Sequence, residues 1–147
     1  MLFHLARHFQ TSAVLKSEFV RQQERAQQLK KLLDHISRHY AEKLPLPRAA
    51  AMVAMSPPKF IKVFKRVAGM TFVAYVTHVR LANAARLLKE STLSVAEIAS
   101  RAGFADQSYF DTRFRRYFGQ TPLGYRNGAV RGTNHGRAAG RAVGKKL

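Results

Sequence analysis

The sequence predicts an all-α protein: two helix-turn-helix units joined by a long central helix, about seven helices in all, followed by a flexible basic C-terminal tail. Three observations predict this architecture. A block of residues recurs further along the chain, apolar residues fall at helical spacing, and 26 Lys+Arg stand against 8 Asp+Glu.

The repeat is the most informative of the three. Ala50, Ala54 and Met55 recur 49 positions on as Ala99, Gly103 and Phe104, while Ser56, Phe60, Phe64, Arg66, Gly69, Thr71 and Tyr75 recur 50 positions on as Asp106, Phe110, Phe114, Arg116, Gly119, Thr121 and Tyr125. The offset changes once. A turn between two helices tolerates one extra residue, whereas a helix interior does not, so each copy reads as helix, turn, helix with a turn of about three residues.

Ahead of the repeat, Leu29, Leu32, Leu33, Ile36 and Tyr40 follow i, i+3, i+4, i+7 spacing within a helix from roughly Glu18, and Lys30, Lys31, Asp34 and Arg38 face water. In the first unit Leu46, Ala49, Ala50 and Val53 form the buried stripe. Ala54 occupies a glycine-like turn position with slight strain, and Ser56 is expected to cap a helix opened by Pro57. Thr71 to Glu90 then reads as one helix packed through Phe72, Tyr75, Val76, Val79, Ala84, Leu87 and Leu88. In the second unit Ser94 and Glu97 make a capping box, Gly103 supplies a left-handed C-cap and Asp106 caps the next helix.

Wheel geometry divides each second helix into two faces. Phe60, Phe64 and Val67 lie within about 60° of one another, as do Phe110, Phe114 and Tyr117, so both sets are expected to be buried. Lys62 and Lys65, like Thr112 and Arg115, point the other way. Such basic and polar side chains pair with phosphates and base edges in a major groove.

Composition narrows the function classes. A net charge of +18 draws in polyanions, above all nucleic acid. With zero cysteines there is no disulfide scaffold, thiol nucleophile or cysteine-ligated metal. The longest apolar run, Ala49 to Met55, is far short of the ~20 residues that span a membrane, so a cytoplasmic, nucleoid-associated protein without a membrane partner is expected. No enzyme is expected either. The i, i+4 pairs His4/His8 and His35/His39 lack an acidic third ligand on the same face and read as solvated surface, His78 has no nucleophile pattern near it, and no cofactor or metal is implied.

After Asp111 no acidic residue occurs, yet Arg113, Arg115, Arg116, Arg126, Arg131, Arg137, Arg141, Lys145 and Lys146 follow and carry half of the net charge. Glycine at 128, 132, 136, 140 and 144 disfavours a helix there. The chain thus divides into residues 1–24, an N-terminal helical extension or the remnant of a sensor or dimerisation domain; 25–127, the double helix-turn-helix; and 128–147, the tail.

The segment Ile98-Ala99-Ser100-Arg101-Ala102-Gly103-Phe104-Ala105-Asp106-Gln107-Ser108-Tyr109-Phe110, continued by Phe114-Arg115-Arg116-Tyr117-Phe118-Gly119-Gln120-Thr121-Pro122 and Tyr125-Arg126, closely resembles the signature of the AraC/XylS transcriptional regulators. The similarity covers about Leu29 to Arg126, the C-terminal DNA-binding domain of that family. It implies seven helices with both recognition helices entering one face of double-stranded DNA, and RNA polymerase as a candidate second partner. By position, Lys59, Ile61 and Lys62 in the first unit and Gln107, Ser108, Asp111 and Thr112 in the second take base-facing slots. Lys65, Arg115 and Arg116 resemble backbone contacts. Two departures weigh against readout by the first unit: Pro57-Pro58 removes two amide donors, and Ile61 is apolar where the family often has a polar reader, although it suits a thymine methyl. The resemblance implies a sequence-specific regulator, and leaves a sensory ligand and the oligomeric state open. The alternatives are a truncated regulator lacking its sensor domain, or a nonspecific basic nucleic-acid coat, which would explain the charge but not the repeat.

Overall fold

A computed structural model describes residues 2–128, with side chains from residue 13 onward. The expected tail beyond residue 128 and the side chains of His4 and His8 lie outside the described residues. The described elements are α1 (Leu2–Arg38), α2 (Leu46–Met52), α3 (Pro57–Ala68), α4 (Phe72–Glu90), α5 (Val95–Arg101) and α6 (Gln107–Phe118). Residues 122–128 form α7, and no strand occurs among the described residues.

Two compact units divide the chain. The first runs to His39 and resumes over Leu44–Phe72; the second comprises Tyr40–Lys43 and the residues from Val73.

In the first unit the expected stripe of α1 is the packed one: Leu29, Leu32 and Ile36 are buried together with Ala49, Ala50, Val53, Met55, Phe60, Phe64 and Phe72. Small alanines on α2 let a helix carrying large aromatics approach closely. Phe60, Phe64 and Phe72 then form a triangle with ring centroids 5.4 to 5.7 Å apart. Helix α1 starts at Leu2, well before Glu18, and passes residue 24 without a break. Its residues 13–27 are exposed throughout.

In the second unit Leu81, Ala84, Ala85 and Leu88 of α4 meet Ile98, Ala99, Ala102, Phe104, Phe110 and Phe114. Two arginines hold its loops. Arg80 donates from Nε to the Tyr40 carbonyl at 2.7 Å and from Nη2 to the Glu42 carbonyl at 3.1 Å. Arg126 donates to the carbonyls of Leu88 at 3.0 Å and Leu93 at 2.6 Å. Carbonyls in loops and in the last turn of a helix have no backbone partner, so charge-assisted bonds from a half-buried guanidinium satisfy them. Burial lowers the Arg80 pKa from its ordinary value, an effect the neighbouring Tyr109 phenol opposes.

The helices reproduce the repeat. Helix α5 lies 49 positions after α2 and α6 lies 50 after α3, so the extra residue falls in the turn, residues 102–106 against 53–56. The turns differ in strain: Gly103 has φ +96°, and Ala54 reaches φ +52°, a left-handed conformation costly for a residue with a Cβ. Both α3 and α6 end at a left-handed glycine, Gly69 and Gly119, each at φ 74°.

Three expectations are corrected. Val67 is 62% exposed and Tyr117 51% exposed. The twelve-residue helices α3 and α6, about 18 Å long, outrun their seven-residue partners α2 and α5, about 10 Å, so the last turn overhangs. In the second unit Phe118 takes the inner place instead, 4.5 Å from Phe114 and 5.2 Å from Tyr125 between ring centroids. Ser56 stands at the N-cap of α3 but makes no side-chain cap bond. Asp106 caps α6 by accepting from the Ser108 N–H at 2.9 Å, and the residue equivalent to Ser108 is Pro58, which has no N–H.

Candidate nucleic-acid interface

Helix α6 is held firmly at its start and along one side. Asp106 and the Ser94 hydroxyl, which accepts from the Glu97 N–H at 3.2 Å, fix the entries of the two helices of the second unit. Phe110 and Phe114 are fully buried. Ser108, Thr112, Arg115 and Arg116 are exposed on the side turned away from these rings, and Gln107, the first residue of the helix, is exposed at its start. Thr112 donates its hydroxyl to the Ser108 carbonyl at 2.9 Å, which fixes its rotamer and leaves its oxygen free to accept. Asp111 departs from the group. It is half-buried, and its Oδ1 is shut off from solvent without a hydrogen-bond partner.

Helix α3 presents Lys59, Ile61, Lys62 and Lys65 to solvent, Ile61 at 48% exposure. Its outer face is chemically unlike that of α6. Lysines and one isoleucine supply charge and apolar surface but no amide or hydroxyl, and Pro57 and Pro58 remove two backbone donors at its mouth. All ten residues singled out from the sequence therefore lie on α3 or α6, nine exposed and Asp111 half-buried.

The histidines whose side chains are described assemble no ligand set. His35 and His39 stack at 4.7 Å between ring centroids, and no group of three or more metal-ligating side chains occurs among the described residues. His78 instead meets the Tyr117 hydroxyl through Nδ1. No helix among the described residues is long and apolar enough to cross a membrane.

Sequence reasoning missed a second feature of α6. Arg113 donates from Nε to the Tyr109 hydroxyl at 3.1 Å, with its guanidinium carbon 5.3 Å from the ring centroid. The legible signal was the i, i+4 spacing of a tyrosine and an arginine on one helix.

A family model described as a helix-turn-helix domain matches residues 49–128, more than half of the chain. The regulatory protein PocR of Salmonella typhimurium is 40% identical over 98 residues, 67% of this chain and 32% of that protein. The transcriptional activator RhaS of Klebsiella pneumoniae is 36% identical over 100 residues, covering 68% of this chain and 36% of its own length. Among solved structures, the DNA-binding domain of the transcriptional factor AdpA, crystallised with a target DNA, superposes with a TM-score of 0.66 at 30% identity, covering 68% of this chain and 90% of that one. The chain belongs to this helix-turn-helix family, of the AraC/XylS type. It spans about a third of the length of these curated relatives.

Proposed function

We propose that the protein is a sequence-specific DNA-binding regulator of transcription, with α3 and α6 as its readers of successive major grooves in double-stranded DNA. One observation carries the reading: two twelve-residue helices, each ended by a glycine at φ 74°, each anchor a pair of phenylalanines inward and turn basic residues outward. A solvated face arises once by chance far more readily than twice in register within a chain of net charge +18. Residues 25–127 form the DNA-binding domain, with 1–24 a helical extension ahead of it and 128–147 a basic arm. The activity is binding and not catalysis, it acts in the cytoplasm at the nucleoid, and RNA polymerase is its second partner.

The two readers divide the work. Gln107, Ser108 and Thr112 offer amide and hydroxyl groups that discriminate base edges, whereas Lys59, Lys62 and Lys65 offer point charges suited to phosphates. Selection of bound duplexes from a random pool, followed by competition with random duplex at ~150 mM salt, tests both parts. A regulator yields a consensus and retains it under competition. A nonspecific coat yields none. A consensus confined to one half-site assigns base reading to a single unit.

A further inference from the structure

Arginines in the second unit fall into distinct chemical states. Arg86 is paired with Glu90 at 3.4 Å. Arg80 and Arg126 spend their N–H groups on backbone carbonyls. Arg113 differs from all three: only its Nε is used, on the Tyr109 hydroxyl, and its Nη groups have no protein partner among the described residues. The Tyr109 ring lies under the guanidinium and is itself anchored, 6.2 Å from the ring of buried Phe104. The side chains at the i±3 and i±4 positions are Tyr109, Phe110, Arg116 and Tyr117, so the helix offers Arg113 no carboxylate.

From this geometry we infer that Arg113, seated on Tyr109, is a preorganised clamp for a backbone phosphate of DNA, with Tyr109 as its positioning residue. The inference rests on the DNA-binding reading above and extends it to a pair of residues outside the base-facing set. A guanidinium has five N–H donors in a planar fork that matches a phosphate bidentately, and with Nε held the Nη edge remains open. At 100° per residue Arg113 lies about 100° around α6 from Thr112, and Arg115 about 60° to the other side. A helix with Thr112 toward the groove floor then turns Arg113 toward one phosphate wall and Arg115 toward the other.

The test uses the full 147-residue chain and titrates both a selected duplex and a random duplex across a salt series. Arg113→Ala should lower the magnitude of the log-log salt slope by ~0.9 on both duplexes and leave the consensus unchanged. Arg113→Lys keeps the charge but loses the fork, so affinity should fall while most of the slope remains. Tyr109→Phe keeps the ring and removes the acceptor; affinity should fall roughly threefold with unchanged thermal stability, an effect that a purely structural role for Tyr109 would not produce. An unchanged slope for Arg113→Ala overturns the clamp, and an altered consensus overturns its assignment to phosphate. If the wild-type chain selects no consensus, the sequence-specific reading fails, and the random-duplex slope still decides the clamp.

Discussion

A Cβ placed on Gly103 would stand 2.8 Å from the Cα of Ala41 and 2.9 Å from the Ala41 carbonyl oxygen. The turn of the second unit is therefore pressed against the Tyr40–Glu42 segment that Arg80 holds by its carbonyls. Gly69 and Gly119 also have positive φ, yet a Cβ on either meets nothing within 4 Å. The three positions separate backbone strain from steric exclusion.

Gly103→Ala should cost roughly 2 to 5 kcal/mol, combining a left-handed backbone with backbone overlap that cannot relax by a side-chain rotation. Gly69→Ala and Gly119→Ala should each cost only about 1 to 2 kcal/mol. Chemical denaturation of the three variants checks the ordering; equal losses would mean that the close approach to Ala41 has no weight.

Ala54→Gly should stabilise the protein. The φ of +52° costs alanine about 1 to 2 kcal/mol, and the added freedom of glycine in the unfolded chain takes back about 0.5 to 1, leaving a gain of roughly 0.5 to 1 kcal/mol. A raised midpoint of thermal unfolding is the expected readout.

Phe114→Ala should cost ~3 to 5 kcal/mol, because the ring is fully buried against Phe110, Phe118 and Tyr125. Tyr117→Ala should cost less, about 1 to 2 kcal/mol, because the ring is already 51% exposed and loses only its hydroxyl contact to His78 and its edge contact with Phe118. Unchanged stability of Phe114→Ala with lost DNA binding would move that ring from the core to the interface.

Gln107→Ala and Thr112→Val should relax preference at particular base pairs, each by ~1 to 3 kcal/mol of discrimination. Valine keeps the methyl of Thr112 and removes the oxygen that remains free to accept, so the variant isolates the polar interaction. Uniform weakening across all sequences would place these residues on the backbone.

Deleting residues 128–147 removes Arg131, Arg137, Arg141, Lys145 and Lys146. It should leave the preferred sequence intact and reduce the salt slope by ~0.9 for each phosphate that the segment neutralises. An unchanged slope would show that the segment does not meet DNA, and an altered consensus would show that it reads bases.

The sequence alone determined the helices of the duplicated unit and the long helix between its copies, because these depend on local periodicity, capping chemistry and a repeat that one chain displays to itself, whereas the start of α1 at Leu2 and the helix over 122–128 were not read from it. It also placed the ten candidate residues on the two helices that carry them. Tertiary structure decided what depends on where a partner ends. Val67 and Tyr117 sit at buried positions of a helical wheel, but a wheel has no length, and past the ends of the shorter partner helices both stay more than half-exposed, Tyr117 resting on His78. Similarly, Ser56 stands at the N-cap of α3 without a side-chain bond, and the seat of Arg113 on Tyr109 depends on rotamers that a sequence does not display. The roles of Arg80 and Arg126 were hidden for a further reason: their partners are backbone carbonyls 33 to 40 residues away, and a carbonyl carries no side-chain identity for a sequence to display.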